Sequence, residues 1–472
     1  MLAEDEIRIR ELLCEMKRLR IELWLDGGKL KFRDHEGNLD AGLKAKLKAE
    51  KEHIITYLEM MEDVEKLPLT PLQYAYLLGE KDGYELGGCT AHYYLEYESD
   101  RIDADKLERV LNESIKANDA LRMRIMESGW QYVQENVVHI GIKEYDGRSE
   151  WERIRNERTK FGYKPEDWPM FNFAVTHLEE KDILHIDFDC MILDAASARM
   201  MIQNILRAYN GEEIKYPEFG FSDYLKLVSE QPQDEKAHQY WMKRCETLPS
   251  APKLPYKKEF SEVKDIRFRR FEHFFTEEET SRLYDFSKKN HASLAAVVCT
   301  CFAKALYEKS GKQPLTLNLT LFSRQMIHKD ANDILGEFTN IGLVSFEEEK
   351  ADFAKQVMDV QMQFWKLLQY RNYDGTKILK AISKGKSTSA VMPVVFTCVL
   401  GEQGENEEID GFREIYSLSR TPQVSLDHHV RENKGRLKIS WDYIEELFAE
   451  DELKEWFDAY IGCIRKVSQS QA

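Results

Sequence analysis

The sequence has no uninterrupted apolar run of about 18 residues, so a membrane-spanning helix is not expected. Its opening, Met1-Leu2-Ala3-Glu4-Asp5, is neither basic nor apolar, which is not the pattern of a secretory signal. Cysteines are sparse and scattered, at 14, 89, 190, 245, 299, 301, 398 and 463. None forms a Cys-x-x-Cys pair and no histidines join them at zinc-ligand spacing, so free thiols in a reducing cytoplasm and no metal site are expected. Positive charge is in deficit: 67 Lys and Arg against 84 Asp and Glu leave a net charge of −17. Such a surface argues against nucleic acid or an anionic membrane as the main partner. With 43% hydrophobic and 32% charged residues over 472 positions, the composition is globular and the length predicts two or more packed units.

Residues 1–60 read as a unit of their own. Ile9, Leu12, Leu13, Met16 and Leu19 recur at helical spacing and predict an amphipathic helix over about 5–19. The period then changes. Leu23, Leu25, Leu30 and Phe32 flank Asp26-Gly27-Gly28, the signal of a hairpin, and Asn38 and Asp40 can cap a second helix bearing Leu43, Leu47, Ile54 and Leu58. So small a core is marginal alone and would gain from self-association as a homodimer. Lys29, Lys31 and Arg33 alternate with Leu30 and Phe32, so the three cations share one strand face. That face is either a solvated surface or an edge that receives an acidic peptide by strand addition. The charged stretch at 61–66 predicts a linker. Beyond it, strand-like runs at 92–97 and 183–188 alternate with helical patterns at 105–118 and 195–209, which predicts α/β architecture with helix-covered sheets. The acidic, proline-containing stretch at 229–236 predicts a crossover between lobes, and the Lys- and Ser-rich run at 384–389 a loop.

From residue 67 the motifs become specific. Leu69-Thr70-Pro71-Leu72-Gln73-Tyr74 through Gly79 resembles the opening motif of condensation-type domains of nonribosomal peptide synthetases. Amide-forming members carry His-His-x-x-x-Asp-Gly. Here the corresponding stretch, Asp189-Cys190-Met191-Ile192-Leu193-Asp194-Ala195-Ala196-Ser197, has Asp-x-x-x-x-Asp-x-x-Ser, the mark of the heterocyclization members. Tyr240-Trp241 with Arg244 and Leu248-Pro249, Leu317-Asn318-Leu319-Thr320-Leu321-Phe322-Ser323-Arg324, Gly336-Glu337-Phe338-Thr339, Pro393-Val394-Val395-Phe396-Thr397 and Thr421-Pro422-Gln423-Val424-Ser425-Leu426-Asp427 follow in the family's order. The chain is therefore identified as similar to a heterocyclization domain, and residues 1–60 resemble a TubC-type N-terminal docking domain.

The resemblance implies two chloramphenicol-acetyltransferase-like lobes, 67–235 and 236–472, in a V around a central tunnel. It implies an amide bond formed between a carrier-bound acyl or peptidyl thioester and a carrier-bound Cys, Ser or Thr. Cyclodehydration to a thiazoline or oxazoline then follows, with Cys the commoner acceptor. No cofactor is bound by the chain itself; phosphopantetheine arrives on an upstream donor carrier, whose subunit docks through residues 1–60, and on a downstream acceptor carrier. Ring closure needs proton transfer in both directions because an amide carbonyl is a poor electrophile, and a carboxyl group beside a hydroxyl meets that need. By resemblance those are Asp427 and Thr397. Asp189, Asp194, Ser197 and Arg324 have structural roles, with Asp194 and Arg324 a buried bidentate pair, while Asn318 and Gln423 hydrogen-bond substrate. Two positions depart from the family: Arg420 replaces Gln, and Ser425 replaces a Trp, which is expected to reshape the tunnel wall beside bound substrate. His428-His429 has the look of the amide-forming motif in the wrong lobe and is expected at an exposed strand end without a catalytic role; Cys190 lacks a base and is not expected to be a nucleophile. Amide formation alone, and an inactive platform for carrier proteins, are the competing readings. The 472 residues hold no adenylation signature and no carrier-serine motif, so activation and tethering are expected from other domains or subunits.

Overall fold

Period-two alternation in the body resolves into two six-stranded sheets, each with one apolar face under helices. The computed structural model describes residues 3–80, 85–165, 167–347, 352–384, 392–400, 408–409 and 411–469. Of the loop expected at 384–389, residues 385–389 lie outside these. In the first sheet the order is Glu408–Ile409, Phe412–Arg420, His92–Ser99, Asp182–Asp189, Phe171–His177 and Lys143–Asp146. Its apolar face, including Leu95, Leu184, Ile186 and Val175, packs on helices Ala104–Ala117 and Ala195–Tyr209 through Leu107, Leu111, Ile202 and Ile205. The second sheet runs Phe268–Phe274, Arg436–Ile444, Leu426–Asn433, Val394–Val399, Leu315–Phe322 and Thr339–Phe346. Its even-numbered Phe396 and Val394, and its Leu426, Val430, Ile439 and Trp441, bury against helices Leu294–Lys309 and Glu450–Gln469.

The stretch at 229–236 passes between helices Phe221–Ser229 and Glu235–Cys245. Tyr224 and Leu225 belong to the first core, Ala237 and Trp241 to the second. A single cut does not separate the sheets, however. Strand Phe412–Arg420, from the C-terminal half, pairs antiparallel with His92–Ser99 and so completes the first sheet. Hydrophobic alternation carries no information about which sheet a strand joins.

The first 60 residues contain the expected hairpin. Asp26 faces Lys29 across Gly27 and Gly28, both at positive φ (56° and 72°), the geometry of a two-residue type I′ turn. The expected single second helix is two, Ala41–Ala49 and Lys51–Asp63. The seven-residue step from Leu47 to Ile54 hides the break, because both remain on the buried side. Glu50 sits at the joint, where its carboxylate accepts from Arg8 at 3.2 Å and pairs with His53 at 2.9 Å, so tertiary contacts fix a bend that helix propensity does not predict. Lys29, Lys31 and Arg33 are all exposed, with Arg33 3.8 Å from Glu22.

Candidate active site

Three separated motifs meet at the turn before helix Ala195–Tyr209. Asp194 caps that helix, accepting from Ser197 N at 2.7 Å, and its second oxygen accepts from Phe338 N at 3.3 Å. Asp194 N donates to Gly336 O at 3.0 Å, while Arg324 Nη2 donates to Ser197 Oγ at 2.8 Å. Burial pushes the Asp194 carboxyl up against the pull of the Arg324 charge. A Cβ on Gly336 would lie 2.3 Å from the Phe221 ring, so the close approach requires glycine. Thr70, which caps helix Pro71–Gly79 with Gln73 in a capping box, donates to Glu337 Oε2 at 2.6 Å. Burial raises that carboxyl to about 8. Asp189 is fully buried, accepts from Met191 N at 2.8 Å, and is raised by burial to about 7. These groups fix a turn. Asp194→Ala removes the cap and leaves Phe338 N without its acceptor, and is expected to lower stability by about 1–3 kcal/mol in urea unfolding.

Above this junction lies a cavity of about 600 Å³, lined by Tyr76, Asn318, Thr397, Gln423, Asp427 and His429 among others. The second sheet supplies its wall by alternation: residues 395, 397 and 399 and residues 427, 429 and 431 project into it. Parallel pairing sets Val395 beside Asp427 and Thr397 beside His429. Asp427 and Thr397 therefore share one face of adjacent strands, one step apart diagonally. The Thr397 hydroxyl is bonded to Thr320 Oγ1 at 2.7 Å. Asp427 is 5% exposed, and its Oδ1 is buried with no hydrogen-bond partner. Gln423 is held at φ 63°, a left-handed conformation uncommon for a side-chain-bearing residue, by its N–H to Leu86 O at 2.9 Å. The first motif supports this loop: a Cβ on Gly79 would lie 3.0 Å from Pro422 Cβ.

The structure corrects several expectations. Ser425 does not line the cavity. It is 0% exposed, and its hydroxyl is spent on Tyr256 OH at 2.8 Å and Pro393 O at 3.1 Å. Arg420 is no cation of the cavity wall either: it reaches across to Lys160 O at 2.8 Å and Thr90 Oγ1 at 3.0 Å, tying the strand it ends to the first lobe. His428 and His429 are not an exposed strand end. His428 is a core residue, bonded to Tyr460 OH at 2.7 Å, and burial holds its pKa well below the ordinary histidine value. His429 is 8% exposed, lines the cavity, and places Nε2 3.3 Å from Asp427 Oδ2 and 3.5 Å from Asp442 Oδ2. Burial pulls its pKa down, but the two carboxylates outweigh that and raise it. The signal for His429 was the same alternation that placed Asp427, read two residues further. Cys190 does line the cavity, with burial and nearby carboxylates pushing its thiol well above the ordinary value, which disfavours a nucleophile.

Among the described residues no helix is long and apolar enough to cross a membrane, and no cluster of three His, Cys, Asp or Glu side chains could hold a metal ion.

Residues 64–471 match the condensation-domain family, and residues 9–59 the TubC N-terminal docking domain. The chain is 29% identical to pyochelin synthetase PchF of Pseudomonas aeruginosa, over 98% of this chain and 27% of that one. It is 26% identical to phenyloxazoline synthase MbtB of Mycobacterium bovis, over 83% of this chain and 29% of that one. It thus spans under a third of the length of either relative. The fold superposes on the EpoB cyclization-docking bidomain from Sorangium cellulosum with a TM-score of 0.80 at 24% identity, covering 98% of this chain and 99% of the other. With 64–471 matched end to end, the chain belongs to the condensation-domain family and carries a TubC N-terminal docking domain ahead of it.

Proposed function

We propose that the cavity joins a carrier-bound acyl or peptidyl thioester to a carrier-bound Cys, Ser or Thr, and then closes the side chain onto the new amide with loss of water. The observation that carries this reading is Asp427. It is a buried carboxylate with one oxygen unpartnered, on the wall of a cavity of about 600 Å³, with the Thr397 hydroxyl on the same face. Burying a polar atom unsatisfied costs about 1–3 kcal/mol, and such a cost persists where the atom has work to do. Holding both thioesters in one cavity makes amide formation effectively unimolecular, worth up to about 7–11 kcal/mol of barrier in favourable systems. The absence of the paired histidines at 189–197 fits a chamber that relies on that effect. The ring-containing product in the name of MbtB supports cyclization over amide formation alone. Asn318 and Gln423 reach the same chamber and can orient the amide. Phosphopantetheine is supplied on the two carrier proteins and no cofactor of the chain's own enters the chemistry.

Mass spectrometry of the tethered product tests the reading. Loss of one water relative to the linear amide is expected with a cysteinyl carrier; linear amide alone would leave only condensation, and no transfer would leave a platform.

For residues 1–60 we propose capture of an acidic tail from an upstream synthetase subunit. The strand Lys29–Asp34 belongs to a two-stranded sheet, and its three cations are exposed beside that edge. Lys31→Glu with Arg33→Glu is expected to weaken binding of such a peptide several-fold by calorimetry, and the loss should shrink with added salt.

A further inference from the structure

The chemistry proposed above asks one carboxyl group to accept protons and to donate them. A carboxylate only accepts; it donates after something has protonated it. A donor stands beside Asp427: His429, whose Nε2 lies 3.3 Å from Oδ2. The same nitrogen is 3.5 Å from Asp442 Oδ2, so the imidazole stands between two carboxylates without a well-aligned hydrogen bond to either.

The two carboxylates are not equivalent. Asp442 is clamped by Arg270, with Nε on Oδ1 and Nη2 on Oδ2, both at 2.6 Å, and it accepts from Ser419 N at 3.1 Å. Its charge is compensated and its oxygens are occupied. Asp427 lines the cavity and its Oδ1, itself buried, has no hydrogen-bond partner. A proton on His429 thus has one productive destination.

We propose that His429 is a positioning residue for ring closure: an imidazolium that hands its proton to Asp427 for the dehydration and recovers it when the ring is complete. This rests on the cyclodehydration reading. In the addition step the acceptor's thiol bonds to the amide carbon, its proton passes to Asp427, and Asp427 returns a proton to the former carbonyl oxygen. In the elimination step the Nε2 proton of His429 passes to Asp427 and on to the departing hydroxyl. The C–O bond breaks, water leaves, and the C=N bond forms. The ring N–H proton then returns through Asp427 to His429. One water is lost and both side chains end as they began.

Several charged or titratable groups surround His429. On its own strand they are Asp427, Arg431 and the neutral His428, and from neighbouring strands Asp442 and Arg270. Tyr93, which accepts from Arg431, and Tyr76 face the chamber from the first lobe. The carboxylates outweigh burial and raise the His429 pKa, so the imidazolium is fully present at low pH and is lost as pH rises through the raised value.

Donor and cysteinyl carriers are supplied to the full chain across about pH 6–9, and linear and cyclized products are resolved by intact mass. For the unaltered protein the cyclized-to-linear ratio is expected to fall as pH rises. His429→Gln keeps an N–H within reach of Asp427 but does not titrate. It should lower cyclization roughly tenfold and give a ratio independent of pH, with linear amide accumulating. His429→Ala should do no better. Cyclization by His429→Gln at the unaltered rate and with the unaltered pH profile would overturn the inference. A second measurement does not depend on product: the His429 titration followed by NMR in ¹⁵N-histidine protein. It should move to lower pH in Asp427→Asn, and an unmoved titration overturns the coupling even if rings form. Linear amide alone from the unaltered protein at every pH would instead remove the cyclization reading, and the relay with it.

Discussion

Asp427→Ala is expected to lower heterocycle formation by about 10²–10⁴-fold, the usual contribution of a positioned general acid–base, while linear amide accumulates on the acceptor carrier. The division follows from where the carboxylate lies. Amide formation draws on proximity, which the cavity keeps in the variant. Ring closure needs proton traffic, and Asp427 is a carboxylate of the wall whose side chain is not saturated with hydrogen bonds. Asp427→Asn separates charge from shape: it is isosteric but exchanges no proton, so it should match the alanine variant in cyclization and exceed it in stability. Thr397→Val should cost less, because the Thr397 hydroxyl is bonded to Thr320 and lies on the strand next to that of Asp427. Intact-mass time courses of the tethered product measure all three. Heterocycle formed by Asp427→Ala at the unaltered rate would show that the carboxylate was wrongly chosen.

How this site was readable from sequence, and where it was not, has a physical pattern. Alternation along residues 426–433 sends every second side chain to the chamber, so Asp427, His429 and Arg431 belong together. His429 was passed over because two adjacent histidines look like one motif. In a strand they point to opposite faces, which makes one a core residue against Tyr460 and the other a neighbour of Asp427. Ser425 was misplaced for a related reason. It precedes the strand, where the chain has not yet settled into alternation, and its hydroxyl faces Tyr256 rather than the chamber. The Asp442–Arg270 clamp had no local signature at all, since its members are 172 residues apart and meet only through strand pairing.

Local signals carried most of the element boundaries. Thr70-Pro71-x-Gln73 is a capping box with proline in the first turn, and Asp194 caps the helix that begins at Ala195. Non-local choices were silent. The return of Phe412–Arg420 to the first sheet and the bend at Glu50 depend on partners that no window of sequence contains.

The clamp also yields the second large effect. Arg270→Ala is expected to destabilise the protein by about 3–5 kcal/mol, the cost of breaking a buried ion pair from one side, read as a lower urea midpoint with the slope unchanged. The Asp442 side chain is 0% exposed and Arg270 only 13%, so water does not replace the lost partner. The pH dependence should change sign. In the unaltered protein burial is outweighed by the Arg270 charge, and the Asp442 carboxyl lies well below the ordinary carboxylate range. Its contribution is therefore complete above that range and is lost only as pH falls through the depressed value. Without Arg270, burial is opposed only by His429 and the Ser419 N–H, the carboxyl should rise, and stability should shift towards acid and decline as pH rises. Arg270→Met combined with Asp442→Asn removes both charges and should recover most of the loss, because the large cost belongs to the orphaned charge and not to the pair itself. If the single and double variants are equally unstable at every pH, the clamp contributes through packing and its electrostatic role in setting His429 between two carboxylates falls with it.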